Sequence, residues 1–331
     1  LQGDTHRAIE LCLAAREKTR NNMPDLQNEI TITLGLLYFL YGDFAKAKIE
    51  MQEVINSSRT SGAINNPVAA YAVLARLYTI QGKLRKADEL LQNAEQLLQG
   101  ADGQYLGTTS LVKVGFARLL CERNNLEAAL LHLDQGLEFL PWWGKTDDLC
   151  LAYTILARIQ LAQGNWTESE DTIQKSRQLI QSNGVFSETR STVETAQVKL
   201  WIAQEDWLAI EEWEENLPKR SGPNEPCQFE DELIRIAQAR VLIYQNKLDE
   251  AIELLICLEE AARKEGRQGR LIEVLLISAL ALDKNGETKK AHQSLSESLA
   301  LAEPEGYIRI FVDEGPPLAH LLYEALKREI S

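Results

Sequence analysis

One pattern recurs along this chain at an almost constant interval, and that interval leaves few folds open. GLLYFLYGDFAKA, at residues 35–47, has a small residue, apolar residues at helical spacing, an aromatic, a Gly, a second large apolar residue and an Ala three further on. It returns as ARLYTIQGKLRKA (75–87), ARLLCERNNLEAA (117–129), ARIQLAQGNWTES (157–169), VKLWIAQEDWLAI (198–210), ARVLIYQNKLDEA (239–251) and ALALDKNGETKKA (279–291), and a half copy, GDTHRA, stands at 3–8. The turn positions 3, 42, 82, 124, 164, 205, 246 and 286 are separated by 39, 40, 42, 40, 41, 41 and 40 residues. A period that steady means a solenoid built by stacking one supersecondary unit. The expected fold is all-α, a right-handed superhelix of about eight αα-hairpins.

Each unit reads as a helix A before the turn and a helix B after it. A small column on A (Gly35, Ala75, Ala117, Ala157, Val198, Ala239, Ala279) faces a mostly Ala column on B (Ala8, Ala47, Ala87, Ala129, Ser169, Ile210, Ala251, Ala291). Small residues at both places let the two helices approach closely. The large residue between them (Phe44, Leu84, Leu126, Trp166, Trp207, Leu248) is expected to wedge into the hairpin core. Trp201, in the column of Tyr38 and Tyr78, is assigned to the core with Trp166 and Trp207.

The pattern gives residues 1–303 to the repeat superhelix, with a lone helix at 4–20 and hairpins near 25–61, 66–99, 104–140, 146–183, 187–217, 229–265 and 269–303. Residues 304–331 remain as a capping segment and linker helix: YIRIFVDEG reads as a short extended piece, and a last helix runs from about Pro317 to Ile330. The fifth hairpin is irregular, with a short acidic helix B and a stretch over 217–227 holding three prolines and a Gly. Because the chain opens half-way through a repeat, it reads as a piece of something longer. The pattern is closest to tetratricopeptide repeats, whose usual period is 34 residues; longer helices would account for the difference. HEAT-type repeats rank second, since they usually lack paired small residues around the turn.

Composition narrows the function classes. A net charge of −14 repels phosphate backbones, so direct nucleic-acid binding by this region is not expected. No run approaches the ~20 apolar residues of a membrane span, and no signal peptide is visible. The five cysteines, Cys12, Cys121, Cys150, Cys227 and Cys257, are scattered without a CxxC pair, a usage that fits reduced thiols and a cytoplasmic location.

Catalytic motifs are absent. Gly144-Lys145-Thr146 would need a further Gly at 139 to form a phosphate loop, and 139 is Phe. His6, His132, His292 and His320 have no metal-ligand spacing, and no enzyme is expected. One column does stand out. The residue after the small one on helix A is Arg76, Arg118, Arg158, Lys199 and Arg240 in five successive hairpins. On the concave side of a solenoid, these cations would form a stripe able to capture an anion or carboxylate. The alternative is that each pairs with an acidic residue of an adjacent helix and holds the stack together. Trp142 and Trp143 fit no column and stand after a helix B, where exposed indoles would mark a contact surface or cap an inter-repeat junction.

The segment at 299–321, LALAEPEGYIRIFVDEGPPLAHL, resembles a stretch of the large ATP-dependent LuxR-type transcriptional regulators, the MalT-like family, and the "LAR…QG" rhythm upstream is also similar. The resemblance covers essentially the whole chain. It implies a superhelical sensor region, with an NTPase module that holds ATP and a DNA-binding reader lying elsewhere in the longer protein. It implies intramolecular contacts with those modules, binding of a small-molecule inducer or a regulatory protein, and control of ATP-dependent oligomerisation. No cofactor is expected within the region itself. The competing expectation is a tetratricopeptide-type protein-interaction scaffold without a small-molecule ligand.

Overall fold

A computed structural model describes residues 5–19, 24–61, 64–99, 106–143, 145–217 and 229–330, and within them helices joined by short connections occur and no strand. A lone helix, α1 (Thr5–Thr19), precedes the hairpins α2/α3 (Pro24–Tyr41, Phe44–Ser61), α4/α5 (Asn65–Ile80, Leu84–Gln99), α6/α7 (Leu106–Glu122, Leu126–Trp143) and α8/α9 (Thr146–Ala162, Trp166–Ser182). Then come α10/α11 (Ser187–Gln204, Trp207–Asn216), α12/α13 (Phe229–Tyr244, Leu248–Lys264) and α14/α15 (Gln268–Lys284, Thr288–Ala302). A 3₁₀ turn (Glu303–Glu305), the one-turn α16 (Arg309–Val312) and α17 (Gly315–Ile330) finish the chain.

The repeat pattern works through its turns. Gly42, Gly82, Asn124, Gly164, Glu205, Asn246 and Gly286 all have positive φ. In each, the turn N–H and the next N–H reach back to the preceding helix, as Gly42 does to Phe39 O and Asp43 to Tyr38 O. This left-handed stop satisfies the last carbonyls of helix A and sends helix B back along it. The small columns then let the pair close: Ala75, Ala117, Ala157, Val198, Ala239 and Ala279 are buried on the A helices, and Ala47, Ala87, Ala129, Ile210, Ala251 and Ala291 on the B helices.

Successive A helices pack on one another (α2 on α4, α4 on α6, and so on to α12 on α14), whereas no two successive B helices pack substantially among the described residues. Crowding one layer and splaying the other curves the stack, with the A helices inside. The curvature brings the ends together. Phe229 at the start of α12 meets Phe39 and Phe44 edge-on, at 6.4 and 5.3 Å between ring centres. Helix α14, apolar on nearly every side, packs on α12, α13, α15, α17 and also on α4. At that closure Gly82 and Gly269 stand backbone against backbone; a Cβ added to Gly269 would lie 2.6 Å from Thr79 O.

Two expectations are corrected. The 304–312 stretch is not extended: it forms the 3₁₀ turn, a left-handed Gly306 and α16, since Gly306 and Tyr307 N–H bond back to Ala302 O while Ile308 N–H bonds Glu122 O. Trp166 and Trp207 are not core residues, being 47% and 39% exposed. The position that wholly encloses Leu84 takes in only part of an indole, and Trp207 sets its ring tilted against Tyr244, 5.9 Å between centres. Trp201 is half-buried against the α10–α12 core, and Trp213 is buried there and donates its ring N–H to Glu194.

Cys121 and Cys150 are buried free thiols, each pushed up to about 11 by burial; Cys227 lies outside the described residues. No helix among the described residues is long and apolar enough to cross a membrane.

Candidate functional site

The closed curve leaves a cavity of about 210 Å³ on the inner side, walled by α4, α6, α8, α9, α10, α12, α14 and the segment after α15. Its apolar wall includes Leu151, Ile155, Leu161 and Ile173, and Thr154, Thr192 and Thr195 add hydroxyls. Four cations, Arg118, Arg158, Lys199 and Arg270, face three carboxylates, Glu122, Glu188 and Glu273. In a molecule of net charge −14, this lining gathers cations and carboxylates in nearly equal number.

The five-cation column lies on the inner faces of the A helices, and four of its members have carboxylate partners. Arg76 pairs with Glu188 of α10, across the cavity. Arg158 pairs with Glu122 of α6 and, at 2.8 Å, with Asp313. Lys199 reaches Glu273 of α14 at 3.2 Å, and Arg240 holds both Glu273 at 3.1 Å and Glu314 at 2.6 Å. Arg118 is the exception: it is half-buried, lines the cavity and has no hydrogen-bond or ion-pair partner among the described residues. Removal from water and the neighbouring Arg76 and Arg270 charges lower its pKa to about 10.

Glu273 sits at the centre of this network. Burial alone would raise its pKa, but Lys199, Arg240 and Arg270 together hold it well below the usual carboxylate range. Asp313 is lowered for the same reason, with Arg158, Lys199 and Arg309 outweighing burial. A second ion pair, Arg267 with Glu232, is fully enclosed beside the Phe229 ring.

The segment 303–314 threads across this interior as a strap. Tyr307 O–H donates to Thr79 O, Ile308 N–H to Glu122 O, and the Arg309 guanidinium to the side chain of Asn124. Its Asp313 and Glu314 side chains, 18% and 8% exposed, supply two of the carboxylates that neutralise the column. Burial drives the Tyr307 hydroxyl far above its ordinary range, so it stays a neutral donor.

Repeat reading placed the five cations on one surface but could not find Arg270, Glu273, Tyr307, Asp313 or Glu314, which lie in no column. One local signal was available: Glu273 is a lone carboxylate inside LIEVLLISALAL, an otherwise apolar run that must be buried. Trp142 and Trp143 end helix α7, and their side chains lie outside the described residues. Among the described residues no cluster of three or more His, Cys, Asp or Glu could hold a metal ion.

A family model described as the MalT-like TPR region matches residues 1–328. Curated relatives include the HTH-type transcriptional regulator MalT of Yersinia pestis (strain Pestoides F), 24% identical over 298 residues, which is 90% of this chain and 32% of the relative. The regulator of the same description from Klebsiella pneumoniae subsp. pneumoniae is 25% identical over 212 residues, covering 64% of this chain and 23% of the relative. The chain thus spans about a third of the length of the curated relatives it matches.

Proposed function

Since the chain belongs to the family of MalT-like TPR regions, we propose that it is the effector-sensing part of a transcription activator, and that it takes a small-molecule inducer inside its superhelix. Occupancy of that interior controls the ATP-dependent oligomerisation of the longer protein, whose NTPase and DNA-binding modules contact this region. A ligand can shift such an equilibrium only by preferring one state.

The observation that supports this reading is that one cavity touches elements far apart in the chain. Arg118 and Arg158 come from α6 and α8, Lys199 from α10, Glu273 from α14, and Tyr307 from the strap. An occupant there contacts the first half of the solenoid, the second half and the strap together, so its binding energy acts on their relative placement. A regulatory protein is the weaker candidate for this interior, because the strap already crosses the concave side that an extended peptide would follow; such a partner would dock elsewhere.

A thermal-shift screen against sugars, organic acids, aromatic acids and nucleotides tests the proposal. A ligand that binds only the folded state, at 100 times its Kd, adds about 2.7 kcal/mol. A saturable shift that disappears in the Arg118→Ala/Arg158→Ala variant supports an interior effector site. Silence across a broad library favours the interaction scaffold instead.

A further inference from the structure

We propose that the effector is a small organic anion, and that its carboxylate or phosphate docks on Arg118 with Arg270 as the second contact. The inference rests on the reading of the interior as an effector pocket and adds the chemical class of the occupant.

Three observations converge on Arg118. The other four cations of its column are each met by a carboxylate of the chain, and Arg118 is met by none among the described residues. The two nearest carboxylates are committed elsewhere, Glu122 to Arg158 and Glu188 to Arg76. Arg270, on the same cavity, makes only long ion-pair contacts among the described residues, from Nε to Glu232 and from Nη1 to Glu273, both at 3.7 Å, and its buried Nε–H makes no hydrogen bond. The half-buried guanidinium of Arg118 therefore keeps its donors free on the cavity wall, with the Arg76 and Arg270 guanidiniums adding like charge.

A half-buried guanidinium crowded by like charges gains when an anion meets it. An incoming carboxylate or phosphate can accept two parallel N–H bonds from Arg118, an arrangement that arginine favours and lysine cannot supply. The body of the ligand would lie against Leu151, Ile155 and Ile173, and the Thr154, Thr192 and Thr195 hydroxyls can bond further polar groups. A pocket apolar on one side, with a charged anchor and a few hydroxyls, orients an amphiphilic acid better than a neutral sugar.

Calorimetric titration of the whole chain at constant ionic strength, with benzoate, hexanoate, inorganic phosphate and neutral benzamide as probes, tests this. We expect at least one anion to bind saturably, benzamide to bind not at all, and Arg118→Gln to weaken the anion by about tenfold or more. Arg118→Gln should also melt at or above the wild-type temperature, because it removes an unpaired charge, and this shows that the variant is folded. Arg118→Lys should fall between the two in affinity. Equal binding of benzamide and benzoate, or unchanged anion binding in Arg118→Gln, overturns the anion site and leaves the effector pocket standing. Silence from every probe also overturns it, whereas the effector pocket itself falls only if the broad library is silent too.

Discussion

Six of the seven hairpin turns place Gly or Asn in the left-handed region; at the remaining one Glu205 adopts φ 55°. A residue with a Cβ pays about 1–2 kcal/mol there. Glycine removes that strain but loses about 0.4–1 kcal/mol through its freer unfolded state. Glu205→Gly is therefore expected to stabilise the chain by about 0.5–1 kcal/mol, read as a small rise in melting temperature; a fall would mean that the exposed side chain makes a contact of its own. Glu273 lies at the other extreme. Glu273→Gln leaves Lys199, Arg240 and Arg270 facing one another without their shared anion, and the expected loss is about 3–5 kcal/mol in urea denaturation. Arg263→Ala, which breaks an exposed pair with Glu297, should cost less than about 1 kcal/mol. Glu273 also predicts a pH dependence. Its folded pKa is depressed, so its stabilisation is present above the unfolded value of about 4.3 and is lost as pH falls below it. Wild-type stability should hold from pH 7 to about 5 and then drop, and the drop should be shallower in Glu273→Gln.

At the scale of elements, the sequence was most legible where structure is local. The turn columns, the small residues that close each hairpin and the short ten-residue α11 depend on neighbours a few positions away, and repetition made them visible. The strap was misjudged for the opposite reason. IRIFV alternates like a strand, but Ile308 N–H finds its acceptor at Glu122 and Tyr307 O–H finds Thr79, 228 residues earlier. No periodicity reports partners at that separation, and the same holds for the carboxylates that meet Arg158 and Arg240. Those two contacts give the strap a test. Asp313→Asn/Glu314→Gln leaves Arg158 with Glu122 and Arg240 with Glu273, so the hairpins should persist while the strap loosens. Amide exchange in 303–314 should quicken by about tenfold or more, with α2 and α3 unchanged. Uniform quickening along the chain would mean that the strap is integral to the stack.

On the scale of the whole molecule, the stack is bent until α4 meets α14, and two glycines make that contact possible. Gly269 separates local from global effects. It lies in the first turn of α14 without positive φ, so by helix propensity alone Gly269→Ala should stabilise by up to about 1 kcal/mol. The closure predicts the reverse, since the new Cβ would stand 2.6 Å from Thr79 O and 2.9 Å from Ile80 O. Both obstacles are backbone atoms and cannot rotate away. Either α14 backs off from α4 or the chain absorbs about 1–3 kcal/mol of overpacking. Backing off also pulls Tyr307 from Thr79 and opens the wall between Gly269 and Ile80 that encloses the cavity. The expected result is an unchanged helix content by circular dichroism, a larger radius of gyration by small-angle scattering and weaker binding of any interior ligand. A melting temperature raised as helix propensity demands, with the same radius of gyration, would show that the two ends of the solenoid are not held together at this point. The proposed control of the longer protein through the interior depends on that contact, because only a closed stack makes an occupant's affinity depend on how the first and second halves are placed.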